Sequence, residues 1–598
     1  MVNKTTGNIT VNNQLRWKVI DGLQLVGQAV IRKYDQDENV TNKKIINYDW
    51  DNNEVREKRT PNSAERRYQK TLSKNFTLYA DYKKNFNDRH DLSVMVGTSH
   101  ESENYDRFTA KRINFDQQEN MSLQLGSAQD QNAWSEGNQW TINSFFSRVN
   151  YTFANKYVIE GTIRADGSSR FDPDHRWGWF PGVNAAWRVG EEGFMKRLGW
   201  FEDLKVRASY GEMGNQSGIG LYDYIQLISL SNDYYPFGTG VKGQMATSGN
   251  IISTSRTWET IQTTNVGFDF STLNNRLYGS FDYFWKENKN MLIPKTYPSM
   301  LGADAPSTNS GHLSIHGWEI SLGWRDQIKD FSYSVRFNIS DAKNKVVDRV
   351  GSNLIKLGNN ETPTGYPLNS YFGYEFDGII QNEQELEAYK SRFSEGGIPG
   401  DLSVGDAMYK DLDGDGKLSV LGDGKEGSGD VKYLGDKNPR YNFGFNLSMA
   451  WKGFDLSAFI QGVGRRTMFL EGESRCPMPE AWYQSAEYWY GKTWTPERTD
   501  AQYPAITLKD KRNYNYYVST NTKFNVAYAR LKNLQFGYTI PQTLTSKAGL
   551  QKVRVYFSGE DLFEVHNTPN GWDPEENSGS ITSYPFTRNY SFGINVVF

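Results

Sequence analysis

The sequence contains few of the residues from which disulfides and histidine-based catalytic sites are built. Its 598 residues include one cysteine, Cys476, and six histidines. One cysteine excludes an internal disulfide. No histidine stands at a convincing triad spacing from a serine or cysteine, although the members of a triad need not be close in sequence. The formal net charge is −3, which argues against a nucleic-acid partner. We therefore assign neither catalytic residues nor a nucleic-acid function.

Long apolar runs are also absent. No run approaches the roughly 18 residues that a membrane-spanning helix requires, and residues 1–10 lack the basic and apolar regions of a signal peptide. With a mean hydropathy of −0.70, a soluble protein is the first interpretation. Against it, aromatic residues make up 14% of the chain, with 55 glycines and 36 tyrosines, although hydrophobic residues total only 37%. This composition is typical of outer-membrane barrels, which face lipid with alternate residues and carry aromatic girdles.

Apolar and polar residues alternate along nearly the whole chain. In the last stretch, 584–598, Phe592, Ile594 and Phe598 fall on one face and small polar residues on the other. We count about seventeen such strands, several near the length that a tilted strand needs to cross a bilayer. Polar residues lie opposite the apolar rows: Glu160, Thr162, Arg164, Asp166, Asn265, Asp269, Ser332, Ser334, Arg336 and Asn338. Because buried unpaired polar groups are costly, these faces require a wide, wet interior.

The connections between the predicted strands alternate between short and long. The short ones are 20–22, 154–156, 273–276 and 452–453. The long, polar ones are 35–69, 212–261, 288–312, 342–439 and 463–521. A barrel in an outer membrane has short periplasmic turns and long external loops. The sequence therefore predicts an all-β transmembrane antiparallel β-barrel, with its longest external loops at 342–439 and 463–521.

Several segments resemble the SusC/RagA family of TonB-dependent outer-membrane transporters. They are RADGSSRF at 164–171, RWGWFP at 176–181, LKVRASYG at 204–211, GNQ at 214–216, WE at 258–259, TNVG at 264–267, DY at 282–283, LKNL at 531–534, GY at 537–538, Pro541 and GWDPE at 571–575. The matches run from about Arg164 to the end of the chain. Residues before Arg164 agree with the family in strand pattern only.

The resemblance implies uptake of glycans or peptides through the outer membrane. Such transporters form a barrel of roughly 22 strands closed by an N-terminal plug. A SusD-like lipoprotein acts as an external lid, and a TonB complex supplies energy through an N-terminal box. The motifs disfavour a siderophore receptor, another TonB-dependent class. The alternative from a different class is a surface or secreted all-β protein that binds or degrades polysaccharide.

We expect residues 1–598 to be part of a longer barrel. The first predicted strand, near 9–19, and the last strand both run towards the periplasm, so the two ends of the chain lie on opposite sides of the membrane. Bacterial single-chain barrels have an even strand count with both termini on one side. We find no plug, TonB box or signal peptide within residues 1–598. We therefore expect about five more strands and the plug to precede Met1, and unpaired edges in this chain alone.

A candidate calcium loop lies within the 342–439 connection. Asp411, Asp413 and Asp415 take positions 1, 3 and 5, a glycine takes position 6, and the carbonyl of Lys417 takes position 7 of an EF-hand-like spacing. The twelfth position, which should be a bidentate acid, is a glycine. The family resemblance offers Asp430 as the missing carboxylate. We expect a structural Ca²⁺; the alternative is a tight Asx-turn loop without an ion.

An aromatic-rich stretch lies within the 463–521 connection. It contains Trp482, Tyr483, Tyr488, Trp489, Tyr490 and Trp494. Flat rings stack on sugars or hold a partner protein, so Trp482, Tyr483, Trp489 and Trp494 are candidate ligand or partner contacts. The alternative is an external loop packed on itself. The Trp-Thr-Pro sequence at 494–496 resembles a common element of the family, which favours that alternative.

Overall fold

The computed structural model describes residues 1–231, 236–237, 241–242, 245–249, 251–294, 300, 306–349, 357–358, 362–422, 429–479, 484–507, 511–576, 584 and 586–598. Within these residues the chain is almost entirely β-structure, with a 17-stranded antiparallel sheet. The predicted fold class and strand number are confirmed. None of the described helices has the length and apolar character needed to cross a membrane.

The seventeen strands follow one another along the chain. They are β1 (Val2–Ile20), β2 (Leu23–Asn42), β3 (Ser63–Phe86), β4 (His90–Ile113), β5 (Gln131–Phe153), β6 (Tyr157–Ser168), β7 (Trp177–Arg188), β8 (Asp203–Asn215), β9 (Glu259–Thr272), β10 (Leu277–Pro294), β11 (Ser307–Ile328), β12 (Phe331–Asp348), β13 (Arg440–Trp451), β14 (Phe454–Arg465), β15 (Tyr528–Thr539), β16 (Lys552–His566) and β17 (Asn589–Val597).

The chain divides into two compact units. The first comprises 1–185, 210–261 and 292–309, and the second comprises 186–209, 262–291 and 310–598. In the first unit, β1 to β6 form a meander in which each strand pairs with the next. In the second unit, β11 to β17 do the same. In the described part, β1 pairs with β2 and β17 with β16. The expectation of further upstream strands stays a prediction.

Smaller elements lie in the connections. The two-stranded sheets are Ile45–Tyr48 with Glu54–Lys58, Ile228–Ser231 with Met245–Ser248, Pro236–Phe237 with Val241–Lys242, Ser370–Tyr374 with Val431–Asp436, Phe376–Ile379 with Ala407–Tyr409, and Thr467–Met468 with Phe524–Asn525. The α-helices are α1 (Gly193–Leu198), α2 (Glu383–Arg392), α3 (Lys511–Asn515) and α4 (Gln542–Thr545). Single 3₁₀ turns occur at Leu123–Leu125, Pro173–His175, Val189–Glu191, Gly472–Ser474, Glu487–Trp489 and Ser546–Ala548.

The predicted short turns are confirmed. The connection between β13 and β14 is Lys452 and Gly453, both with positive φ (46° and 90°). Two central residues with positive φ define the type I′ turn, whose twist matches that of the flanking strands. The strict alternation of lengths fails at one place. The connection 169–176, on the long side, is shorter than 189–202 on the short side, because 189–202 holds a 3₁₀ turn and α1.

The prediction of a loop over 35–69 is wrong at both of its ends, because the connection between the two strands is confined to 43–62. β2 runs on to Asn42 and pairs with β3, with Gln36 opposite Gln69. Charged and hydroxyl groups hold this extension together, as where the Arg66 guanidinium contacts the Asp37 carboxylate at 2.7 Å. Outside lipid a strand no longer needs an apolar face. The alternation from which we recognised strands therefore stops before the strand does.

The last strand is shorter than predicted. β17 begins at Asn589, so Tyr584 and Phe586 lie before it. The ring of Phe586 lies 4.3 Å from the Arg530 guanidinium carbon, a cation–π contact. This contact explains why Phe586 does not extend the alternating row.

Apolar rows on the strands are open to the surroundings. On β17, Phe592 is 84% and Ile594 66% exposed. On β6, Tyr157, Ile159 and Ile163 are exposed as well. Soluble proteins rarely show so much contiguous apolar surface, whereas the outer wall of a membrane barrel requires it.

Candidate functional site

The two longest connections, 349–439 and 466–527, fold into a compact region with its own buried core, which we call the loop domain. One cluster draws mainly on the first connection: Tyr374, Ile380, Leu386, Tyr389, Phe393, Leu402, Ala407, Tyr409, Leu418 and Tyr514. A second draws mainly on the other: Met468, Leu470, Cys476, Tyr488, Trp489, Tyr503, Tyr516, Val526 and Trp572. Ordered loops of this length must bury side chains of their own.

The helix α3 joins the two connections. Its Tyr514 packs in the first cluster, and Tyr516, just after the helix, packs in the second. The Tyr514 and Tyr389 hydroxyls are 2.6 Å apart, and Tyr409 donates from its hydroxyl to the Tyr514 carbonyl at 2.8 Å. Burial raises the pKa of Tyr389 to about 12. These tyrosines therefore stay neutral and act as hydrogen-bonding core residues.

Three buried polar residues, Asp406, Lys511 and Asn515, fix α3 to the first connection. We call this cluster, an ion pair with one amide, the loop clamp. The Lys511 ammonium lies 3.0 Å from the Asp406 carboxylate, and the Asn515 amide donates to the same carboxylate at 2.9 Å. Lys511 also donates to the Ser403 hydroxyl at 2.7 Å. Asp406 is 1% and Lys511 8% exposed. No local sequence motif predicts this ion pair, because Asp406 and Lys511 lie far apart in sequence.

The structure brings three of the five predicted calcium ligands together. Asp411, Asp413 and Asp430 each offer a carboxylate oxygen, and these atoms lie within 4.8 Å of one another. Asp430 is buried. Burial raises the pKa of Asp430 and of Asp413 above the usual range. Carboxylates crowded and partly desolvated in this way suit a hard cation, which is the chemistry that Ca²⁺ uses. The Asp415 carboxylate is not part of this cluster, and the ligand role of the Lys417 carbonyl stays a prediction.

The same carboxylates also cap the loop backbone. Asp411 accepts hydrogen bonds from the amides of Gly414 and Gly416 at 2.7 and 3.1 Å. Asp430 accepts from Leu412 and Ser419 at 2.6 and 2.8 Å. Such Asx-type bonds stabilise a turn without an ion. The geometry fits both alternatives that the sequence left open.

The candidate aromatic contacts differ in how exposed their side chains are. Trp489 is 3% exposed and packs against Tyr503 and Tyr516 in the second cluster. Trp494 is half-buried, and its indole N–H donates to the Gln381 side chain at 3.2 Å. Trp489 is therefore part of the core of the loop domain, whereas the half-buried Trp494 stays a candidate contact. Trp482 and Tyr483 lie outside the described residues. Tyr490, by contrast, is 90% exposed.

Charged side chains are paired on the polar faces of the strands. In the second unit, Arg207 of β8 contacts Asp282 of β10 with both terminal nitrogens, at 2.6 and 2.7 Å. It also contacts Asp269 of β9, and Lys205 contacts the same carboxylate at 2.7 Å. The predicted polar faces are therefore tied across neighbouring strands and stay half-exposed, as a wet interior requires.

Comparison with known proteins decides the family. The family model described as "TonB dependent receptor-like, beta-barrel" matches residues 3–562. The chain belongs to the TonB-dependent receptor β-barrel family. Its relatives include TonB-dependent receptor P3 of Formosa agariphila, 31% identical over 558 residues, covering 88% of this chain and 52% of the relative. They also include TonB-dependent receptor SusC of Bacteroides thetaiotaomicron, 26% identical over 560 residues, covering 88% of this chain and 50% of the relative.

A solved structure shares the fold. The RagAB peptide transporter matches with a TM-score of 0.80 and 22% identity, covering 100% of this chain and 62% of that chain. The chain spans about half the length of the curated relatives it matches. TonB-dependent receptor barrels are outer-membrane transport proteins rather than enzymes. The family match removes the alternative of a surface or secreted polysaccharide-binding or polysaccharide-degrading protein.

Segments that carry the SusC/RagA resemblance meet in one buried cluster of the first unit. Phe171 (1% exposed), Phe180, Ile219 and Trp258 (6% exposed) form it. The indole N–H of Trp258 donates to the Arg176 carbonyl at 2.8 Å. The motifs at 164–171, 176–181 and 258–259 are therefore mutual packing partners. Their role is to hold the outer ends of the strands together.

A second cluster surrounds Arg530, in β15 of the second unit, whose side chain is fully buried. Its guanidinium lies 2.5 Å from Asp573, 3.0 Å from Glu575 and 3.4 Å from Glu564. Asp573 and Glu575 belong to the GWDPE segment, which was recognised by resemblance only. The ion pairs show its physical role, because the acids fold the segment back onto the barrel strand.

Proposed function

We propose that the chain is the barrel of an outer-membrane importer that takes up oligosaccharides or peptides. It works with a TonB complex, which acts through an N-terminal region, and with a SusD-like lipoprotein over the external loops. The observation that carries the proposal is the arrangement of side chains on the barrel strands. Apolar rows are exposed on one face and ion-paired polar rows lie on the other, and the two longest connections form the loop domain. The name of one matched structure, the RagAB peptide transporter, supports peptides as a cargo class, and oligosaccharides follow from the resemblance to the SusC/RagA family.

Disruption of the gene in its native bacterium tests this proposal. We expect accumulation of labelled oligosaccharides or labelled peptides to fall to the level of passive diffusion, and to return when the gene is restored. The gene product should sediment with outer membranes and require detergent for extraction. Unchanged uptake of both cargo classes would contradict the proposal, as would recovery of the full gene product from buffer alone.

We propose that the lipoprotein binds to the loop domain. Since Trp489 is buried and Trp494 is half-buried, the exposed Tyr490 is the better anchor among the described aromatics of this stretch. A Tyr490→Ser variant should recover several-fold less lipoprotein on co-purification, because exposed aromatics supply much of the energy of protein contacts. Phe454→Ser, an exposed aromatic on the strand wall, is the matched control. Equal recovery with both variants would place the contact elsewhere.

We also propose that Asp411, Asp413 and Asp430 hold a structural Ca²⁺. Oxygen ligands at roughly 2.3–2.6 Å would surround the ion. Asp415 and the Lys417 carbonyl stay as proposed additional ligands. The gathered carboxylates and the burial of Asp430 support the site. The ion would neutralise the crowded charges and tie 411–419 to the segment before Val431–Asp436, with no part in transport chemistry.

Chelation tests the calcium proposal directly. With Ca²⁺ present, the loop domain of the wild type should resist protease at least about tenfold longer than in chelator, because the ion cross-links its ligands. Asp413→Asn should abolish that difference. Asp401→Asn, an exposed acid of the same connection, should keep it. Equal wild-type resistance with Ca²⁺ and with chelator would leave the Asx-turn alternative.

A further inference from the structure

The outward face of β12 carries two lysines immediately beyond its apolar row. That row consists of Phe331, Tyr333, Val335, Phe337 and Ile339. Because side chains alternate along a strand, Asp341, Lys343 and Lys345 continue the same face. Lys343 and Lys345 are exposed. The residue that follows each lysine faces the other way: the Leu368 amide donates to the Asn344 side chain at 2.6 Å, and Val346 is buried.

The neighbouring strand β11 enlarges this patch. Its register places His316 opposite Lys343, Ser314 opposite Lys345 and Trp318 opposite Asp341. His316 is exposed. Directly opposed residues of an antiparallel pair have their Cβ atoms about 4.5–5.5 Å apart. Lys343, Lys345 and His316 therefore form one surface, which we call the basic patch, one step above the indole of Trp318.

In the described part of the chain, the acids nearest to the basic patch are engaged by other groups, although Asp341 also attracts Lys343 electrostatically. Asp341, the nearest acid on the same strand face, is buried and held by Arg440. Glu287 accepts from His312 and from Ser314, at 2.6 and 2.7 Å. Lys343 and Lys345 form no ion pair with a described residue. The two exposed ammonium groups, two residues apart on one strand face, repel each other, and a bound anion would relieve this repulsion.

The position of the basic patch along β12 indicates which anion it would bind. β12 runs from a short turn at 329–330 to the long connection 349–439, so its lysines lie at the external end. Aromatic residues such as Trp318 mark the membrane interface in outer-membrane barrels. The basic patch thus lies at the depth of the outer-leaflet head groups. It is also continuous with the lipid-facing row below it, so an occupant would have both an apolar and an anionic part.

We propose that the basic patch binds the phosphate of an anionic lipid in the outer leaflet. The acyl chains would lie along Phe337 and Ile339, and the phosphate would contact Lys343 and Lys345. This is a lipid site on the outer wall, separate from any cargo path, and it would fix the barrel's depth and surroundings in the membrane.

Lipid binding by the full gene product tests the proposal. The protein, purified in mild detergent, is titrated with phosphorylated lipid A and with its dephosphorylated form, and retention is read by native mass spectrometry. We expect Lys343→Gln/Lys345→Gln to weaken binding of the phosphorylated lipid at least about tenfold, since each cation near an anionic lipid surface contributes a factor of about five. The Lys343→Arg/Lys345→Arg variant should bind as the wild type does.

The matched control is Lys329→Gln/Lys547→Gln, which removes two exposed lysines from connections at the other end of the strands. It should leave affinity unchanged. Equal losses in the two double variants would overturn the proposal, as would equal affinity for both lipids. Displacement of the lipid by inorganic phosphate at the same concentration would also overturn it, because the site would then hold a free anion. The readout does not involve uptake, so it is independent of the proposed transport function.

Discussion

An Asp406→Ala variant is expected to open the loop domain while the strands stay folded. The carboxylate of Asp406 accepts from Lys511 at 3.0 Å, from Asn515 at 2.9 Å and from the Ser403 amide at 2.8 Å. Without this carboxylate, the buried Lys511 ammonium loses its counter-charge and the buried Asn515 amide loses its acceptor. Breaking a buried ion pair from one side costs about 3–5 kcal/mol. Connections 349–439 and 466–527 should then be cleaved by protease under conditions that leave the wild type intact.

Two further variants distinguish the effect of losing the loop clamp from a general destabilisation of the loop domain. Lys410→Ala removes an exposed pair with Glu375 (2.7 Å), and exposed pairs contribute about 0–1 kcal/mol, so protease resistance should hardly change. The double variant Asp406→Leu/Lys511→Met leaves no buried charge and should recover most of the resistance lost in Asp406→Ala. Wild-type resistance of Asp406→Ala would show that the clamp contributes little.

The strands within the membrane could be predicted from sequence because lipid imposes a period of two on them. In β17, Phe592, Ile594 and Val596 repeat this period. Above the membrane the rule lapses. The β2–β3 ladder continues through Gln36 and Gln69, where both faces are polar. No hydropathy pattern distinguishes that ladder from a polar loop, so the prediction of a loop over 35–69 failed there.

The candidate site divides in the same way between local and long-range signals. Asp411 and Asp413 are found by their spacing, which is a local property. Asp430 was reached only by family resemblance, and the structure places it against them. Trp489 was a candidate contact because of the aromatic density around it, with a loop packed on itself as the alternative. Density does not distinguish a binding face from a core, and burial decided for the core.

The loop clamp shows the limit of single-sequence reasoning most clearly. Asp406 and Lys511 are ordinary charged residues in two different connections, and nothing in their neighbourhoods predicts their contact. Only the packing of Tyr389, Tyr409 and Tyr514 brings them together. A long-range pair of this kind can be predicted only after the fold of both connections is known.

An Arg530→Gln variant is expected to have the second large effect, on the GWDPE segment. The Arg530 side chain is fully buried and contacts Asp573, Glu575 and Glu564. Two further cations contact the same acids: Lys532 lies 3.0 Å from Glu575 and Arg588 lies 2.8 Å from Glu564. Both are partly exposed, so without the buried guanidinium the carboxylates are incompletely balanced, and a cost of about 3–5 kcal/mol follows from the uncompensated buried charge. Connection 567–588 should detach, exposing Trp572 (7% exposed in the wild type).

The matched control is Arg588→Gln. Arg588 contacts the same Glu564 at 2.8 Å, but its side chain is 46% exposed, so its loss should cost less than about 1 kcal/mol. Protease cleavage within 567–588 and quenching of Trp572 fluorescence by an aqueous quencher give the two readouts. Both should rise in Arg530→Gln and stay low in Arg588→Gln. Similar values for the two variants would mean that packing of Trp572 in the loop domain, rather than the charge cluster, holds the segment on the barrel.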